Sequence, residues 1–202
     1  MSGLTPEKIV CTAREILADK GFDAMSMRGV ASRLDVTPMA LYHHFPDRDA
    51  LLLAIVDEES AELSVGSTAP TAAGRALEVT LTLHDFLAER PWMIRLIATG
   101  RLASPTGLQF PEALLAAAKD AGLTDAAAFA FYRSVFAATL GQATITAARA
   151  SAPPARRDVI AEADPSLVPI VFGLRTHWPE LDARTDTTAV LRGVVDALLT
   201  SA

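Results

Sequence analysis

Residues 26–45 read SMRGVASRLDVTPMALYHHF. Ser26 suits a helix N-cap, and behind it Met27, Val30, Ala31 and Leu34 recur at i, i+3, i+4 and i+7, one apolar face of a short helix. Thr37 and Pro38 follow closely and repeat the signal, a capping residue before a proline at the first helical position. Pro46 stops that next helix. The stretch therefore predicts two short helices meeting across a very tight turn. If Leu41 and Phe45 pack the second helix on its neighbours, about 100° per residue turns Met39, Ala40 and His43 outward. Tyr42 and His44 then flank that face, and Thr37 and Pro38 stand at its N-terminal tip.

An α-helix fits the major groove of duplex DNA, and the first residues of a helix so placed reach base edges. The outward residues suit such a surface. His43 and His44 can donate to or accept from base edges or phosphates, Met39 and Ala40 can touch a thymine methyl, and Tyr42 has a hydroxyl for phosphate. Arg28 can offer a guanine its bidentate fork. Taken singly, these residues have plainer readings. Adjacent histidines on a helix diverge too far to share a metal, Arg28 and Arg48 read as surface charges, and Tyr42 reads as a core residue with a locally satisfied hydroxyl.

Working outward, Thr5 and Pro6 open a first helix whose Ile9, Ala13, Ile16 and Leu17 share a face until Lys20 and Gly21 end it. Asp47 caps a fourth helix with a stripe of Leu51, Leu52, Ile55 and Leu63. Residues 66–74, rich in Ser, Thr, Pro and Gly, read as a loop. Further helices are predicted over 72–89, 91–100, 111–121, 125–150, 167–176 and 186–200, with Pro91, Pro111, Gly122, Thr124 and Pro179 as punctuation. Residues 151–165 read as an exposed, partly disordered connection.

Composition narrows the function classes. Half of the 202 residues are apolar, enough for a sizeable core, and abundant Ala and Leu with few strand formers favour an all-α fold. Neither a long uncharged apolar run nor the layout of a signal peptide is found, which predicts a cytoplasmic protein with no membrane partner. The single Cys11 excludes an internal disulfide and a cysteine-rich metal site, and reads as a small buried hydrophobe. Net charge is −6, and residues 1–60 hold six Lys and Arg against ten Asp and Glu. Any nucleic-acid contact must therefore come from placing Arg28, Arg33 and Arg48 on one face rather than from bulk charge.

The segment MSMRGVASRLDVTPMALYHHFPDRDALLLAI, from Met25, resembles the DNA-binding domain of the tetracycline-repressor (TetR) family. The positions that carry the resemblance are Ser26, Arg28, Ala31, Leu34, Leu41, Tyr42, His44, Phe45, Arg48, Leu51 and Leu52. Two positions depart from the pattern: Asp35 stands where a glycine is common, and Arg48 stands in place of lysine. The resemblance implies phosphate contacts by Ser26, Thr37, Tyr42 and Arg48, and base-facing roles for Arg28, Pro38, Met39, Ala40 and His43, with His44 beside them. It implies a helix-turn-helix domain over 1–48, part of a three-helix DNA-binding unit, and a larger helical ligand-binding and dimerisation domain over 49–202.

For the regulatory half, the resemblance implies a largely apolar effector cavity among the middle helices, with Phe86, Trp92, Phe110, Tyr132, Phe136 and His177 as candidate lining. It also implies a homodimer in which helices near 125–150 and 186–200 form a four-helix bundle with their symmetry mates; a purely intramolecular core is the rival. The expected function is a ligand-responsive transcriptional regulator, a repressor released from a palindromic DNA operator by a small apolar or amphipathic effector. Separation of its two recognition helices would be the switch and the fourth helix its lever. No cofactor or metal is implied. Paired carboxylates and metal-ligand spacings are lacking, which argues against an enzyme. A helical module that sequesters a hydrophobic compound and never meets DNA fits the acidic charge but leaves Arg28, Thr37, Tyr42 and Arg48 without a role.

Overall fold

The computed structural model describes residues 3–100, 104–151, 160 and 162–200, and all regular elements among them are helical. Helix α1 (Pro6–Lys20) starts where the Thr5 hydroxyl accepts the Lys8 N–H, and ends at Gly21 with a φ of 76°. After a 3₁₀ turn (Phe22–Ala24) come α2 (Met27–Arg33), capped by Ser26 on the Gly29 N–H, and α3 (Pro38–Tyr42). Thr37 holds the N-cap position of α3 without a side-chain hydrogen bond. Asp47 caps α4 (Arg48–Ala61) through the Ala50 N–H at 2.7 Å.

The turn between α2 and α3 is closed by the Val36 N–H on the Ala31 carbonyl at 3.0 Å, which places Asp35 at a φ of 54°. Asp35 is the one non-glycine residue with positive φ among those described. Its short polar side chain makes this conformation accessible, at a cost that glycine would not bear.

The rest of the chain forms α5 (Ala72–Ala88), α6 (Pro91–Ala98), a second 3₁₀ turn (Thr106–Leu108), α7 (Gln109–Asp120) and α8 (Asp125–Ser151). Three helices follow, α9 (Pro169–Leu174), α10 (Trp178–Arg184) and α11 (Thr187–Thr200). Helix α5 is central and packs on α6, α7, α8 and α11. One apolar cluster runs from Ile9 in α1 through α4 and α5 to Val195 in α11. Buried polar groups are satisfied inside it. Thr80 and Thr139 donate back to the carbonyls of Ala76 and Val135, and the His84 ring bridges Asp85 and Thr146 at 2.8 and 3.0 Å.

Several expectations need correction. Cys11 is exposed: it lies two residues from Ile9, about 200° round the helix, on the solvent side of the α1 stripe. Leu63 is buried although α4 ends at Ala61. Between the helices expected over 167–176 and 186–200 stands a further one, α10, with Pro179 in its first turn, where a proline loses no hydrogen bond. The expected helix over 167–176 is shorter, and α9 and α10 bury no residue within the chain. Of the connection expected over 151–165, residues 152–159 and 161 lie outside the described residues.

Replacing Asp35 by Val, which tolerates positive φ poorly, should cost about 1–3 kcal/mol in urea unfolding, whereas Asp35→Gly should be at least as stable as the parent. Equal stability of the Val variant would show that the turn is not held in the left-handed region.

Candidate nucleic-acid interface and core cavity

Leu41 is fully buried beneath α3 while Met39, two residues earlier, is 66% exposed, so the short helix has a clear inner and outer side. Thr37, Pro38, Tyr42, His43 and His44 are exposed as well, and Ala40 is half-buried between them. Ser26 and Arg28 are exposed at the start of α2, which packs on α3. Ser26 spends an oxygen lone pair on its cap and retains its hydroxyl proton for another acceptor. The end of α3 also lies near the start of α1. Glu7 is held below its ordinary carboxylate range, first by a backbone hydrogen bond and the Thr5 hydroxyl, and to a lesser degree by the charge of His44.

Two arginines expected to share this face are used elsewhere. Arg33 pairs with Glu15 at 3.0 Å and Asp19 at 3.5 Å, tying α2 to α1. Arg48 is half-buried; its Nε and Nη2 donate to the carbonyls of Met25 and Phe22 at 3.0 and 3.2 Å, and its guanidinium lies 4.5 Å from the centre of the Phe22 ring. In the free chain Arg48 is thus a clamp that holds the segment leading into α2 against α4. Sequence gave no sign of this, because the acceptors are backbone carbonyls more than twenty residues away.

A cavity of about 370 Å³ lies among α4, α5, α6, α7, α8 and the second 3₁₀ turn. Four of the six candidate residues line it: Phe86, Phe110, Tyr132 and Phe136. Trp92 does not. It is buried instead in a crevice it shares with Leu17 and Phe22 of the N-terminal unit, because Met93 and Ile97 present the cavity side of α6. His177 is exposed at the N-cap of α10, beside Thr176, and is likewise absent from the lining. Lining residues not foreseen include Val56, Ser60 and Leu63, which belong to α4 and the residues just after it.

Helix α4 is fastened to the cavity wall twice. The Asp57 carboxylate accepts the Thr106 N–H at 3.2 Å and its hydroxyl at 2.7 Å, which hold its pKa below the ordinary value, with a smaller contribution from Ser104. Two residues on, the buried Glu59 carboxylate meets Arg90, which also reaches Glu62 at 2.9 Å and stacks 4.1 Å from the centre of the Phe86 ring. Arg14 of α1 approaches the same Glu59 at 3.6 Å. A line of charged and aromatic contacts therefore joins α1, α4 and the cavity. Pairings over such sequence distances leave no local signature.

The family described as bacterial regulatory proteins, tetR family, matches residues 9–55, the span from α1 into α4. BioQ, solved with its double-stranded DNA operator, is 30% identical, with 73% of this chain and 89% of that one covered and a TM-score of 0.65. This chain belongs to the TetR family. An HTH-type transcriptional regulator of Saccharopolyspora erythraea is 32% identical over 120 residues, 59% of this chain and 51% of that protein. The chain spans about half the length of the curated relatives it matches. ActR of Streptomyces coelicolor, solved with (S)-DNPA, shares the fold over all of both chains with a TM-score of 0.82 at 24% identity. TetR-family proteins are transcriptional regulators. Among the described residues no group of acidic, His or Cys side chains is arranged to hold a metal, and no helix is long and apolar enough to cross a membrane.

In this TetR-family chain, Arg48→Lys should lower the stability of the DNA-free protein by about 1–3 kcal/mol, because an ammonium cannot reproduce the two-donor fork or its stacking. An Arg48 free to wait for phosphate would leave thermal unfolding unchanged on the same substitution.

Proposed function

We propose that the protein is a homodimeric, ligand-responsive repressor, with residues 1–48 as the DNA-binding unit and 49–202 as the regulatory domain. The observation that carries this reading is the two-sidedness of α3, with Leu41 buried and Met39 at 66% exposure. Arg28, Pro38, Met39, Ala40 and His43 would face base edges, with His44 beside them, and Ser26, Thr37 and Tyr42 would meet phosphates. Arg48 would act chiefly by holding the unit together, its remaining amino group being the part available to phosphate. The operator would be palindromic, because a twofold dimer presents its two recognition helices to half-sites about 34–36 Å apart.

The dimer surface would be formed by α8 and α11. Gly141 on α8 and Gly193 on α11 are exposed, and a Cβ on either would meet nothing in the chain. A glycine inside a helix costs about 0.5–1 kcal/mol against alanine, and close approach of a partner helix supplies a reason to bear that cost. Phe129 and Ile145 on α8 are exposed too, as are Leu167, Ile170, Trp178 and Leu181 before α11, an apolar surface of the kind that subunit contact covers.

Induction would follow from the shared wall. Val56 and Ser60 line the cavity from α4, which begins just after α3, so a ligand that favours a displaced α4 shifts the population away from the DNA-competent spacing. Coupling of this kind changes affinity by about 5–150-fold. A small apolar or amphipathic effector suits the predominantly apolar lining. A cytoplasmic location fits such a role.

Fluorescence anisotropy with a duplex from the protein's own upstream region tests the DNA reading. Affinity should fall at least about tenfold between about 50 and 200 mM salt, as neutralising even two phosphates per dimer requires. Arg28→Ala should cost about 1–3 kcal/mol per half-site and relax sequence preference. Salt-independent or undetectable binding would leave only a ligand-sequestering module. Gly193→Leu adds bulk that the single chain accommodates, so sedimentation should show weakened self-association with unchanged helix content. An unaltered dimer would place the twofold elsewhere.

A further inference from the structure

The cavity carries a distinctive pairing of rings and charge. Phe110 and Phe136 have ring centroids 6.0 Å apart, and Phe136 and Tyr132 follow at 5.9 Å, so three lining residues form a continuous aromatic wall. Phe129 extends the row outward, 6.0 Å beyond Tyr132, to 59% exposure. Among the described lining residues there is one charged side chain, Arg133, and it is a cation. Arg133 is exposed, which puts it at the mouth, and no hydrogen bond or ion pair with another described residue occupies its guanidinium. Among the described residues no carboxylate lines the cavity. The two acids of α4 nearest in sequence to its lining are engaged, Asp57 with Thr106 and Glu59 with Arg90 and Arg14.

These facts discriminate between ligand charges. Ring faces by themselves would attract a cation. A cation here would instead meet Arg133 and find, among the described lining residues, no carboxylate to compensate. An anionic oxygen group gains a charge-assisted, two-donor contact with Arg133 at the mouth. Its aromatic body would cover the rings of Phe110, Tyr132 and Phe136, which offer faces and edges at tilts of 49° and 34°.

We propose that the cavity is selective for planar aromatic acids, with the aromatic body on the Phe110, Phe136 and Tyr132 wall and the carboxylate on Arg133. This rests on the reading of the cavity as an effector site. Full-length protein is titrated at neutral pH with three fluorescent probes of matched shape: anthracene carboxylate, anthracene carboxamide and aminomethyl-anthracene. The carboxylate should bind about fivefold or more tightly than the carboxamide, and the ammonium most weakly. Arg133→Gln should bring the carboxylate to the level of the carboxamide without changing the latter, and Arg133→Lys should retain part of the preference. Circular dichroism confirms that these variants of an exposed helical position are folded. Equal binding of the three probes, tighter binding of the ammonium, or a carboxylate preference that survives Arg133→Gln overturns the proposal while leaving an effector cavity in place. Binding of none of them removes the effector reading along with it.

Discussion

Helix α4 is shared between two packing problems. Its buried Leu51, Leu52 and Ile55 belong to the cluster that includes α1, α2 and α3, while Val56 and Ser60 further along form one wall of the cavity. Interiors pack at close to crystal density, so such a helix cannot slide at one end without being felt at the other. α3 depends on this support most of all. A segment of five residues has no helical stability of its own in water, and it holds its shape because Leu41 is buried and the turn at Asp35 fixes its start.

The polar fastenings of α4 define geometry more than they add stability. Glu59 is 4% exposed, and withdrawing a carboxylate from water offsets much of what its pairing with Arg90 gains. What the pair does supply is direction: Arg90 can satisfy Glu59, Glu62 and the face of Phe86 together only when α4 sits at one place along the cavity. Asp57 and Thr106 fix the same helix from its neighbouring side. A two-position α4 would have to exchange both sets of contacts, which is the kind of discrete rearrangement that a population shift needs.

Charge placement also bears on the proposed DNA reading. Arg33 is neutralised by Glu15 and Asp19, and Arg48 is committed largely to backbone carbonyls, so the acidic chain leaves few cations free on the face that holds α3. On that reading, discrimination would come from the side chains of α3 and from Arg28, with little attraction to DNA in general. The weak non-specific binding that follows from net charge −6 is then part of the same arrangement.

Local chemistry was legible residue by residue. Thr5, Ser26 and Asp47 cap the helices they introduce, and the stripes of α1 and α2 are buried, because caps and periodicity act within a turn or two of chain. The all-α class, the short pair of helices and the outward side of α3 therefore follow from the sequence alone. Pro179 could be read as either a stop or a start, and the sequence did not say which. Tertiary structure decided the rest: Trp92 turns to the N-terminal unit and not to the cavity, Arg48 becomes a clamp, and Glu59 finds Arg90. Each of these depends on which surfaces meet across tens of residues, and side-chain type and spacing carry no record of that meeting.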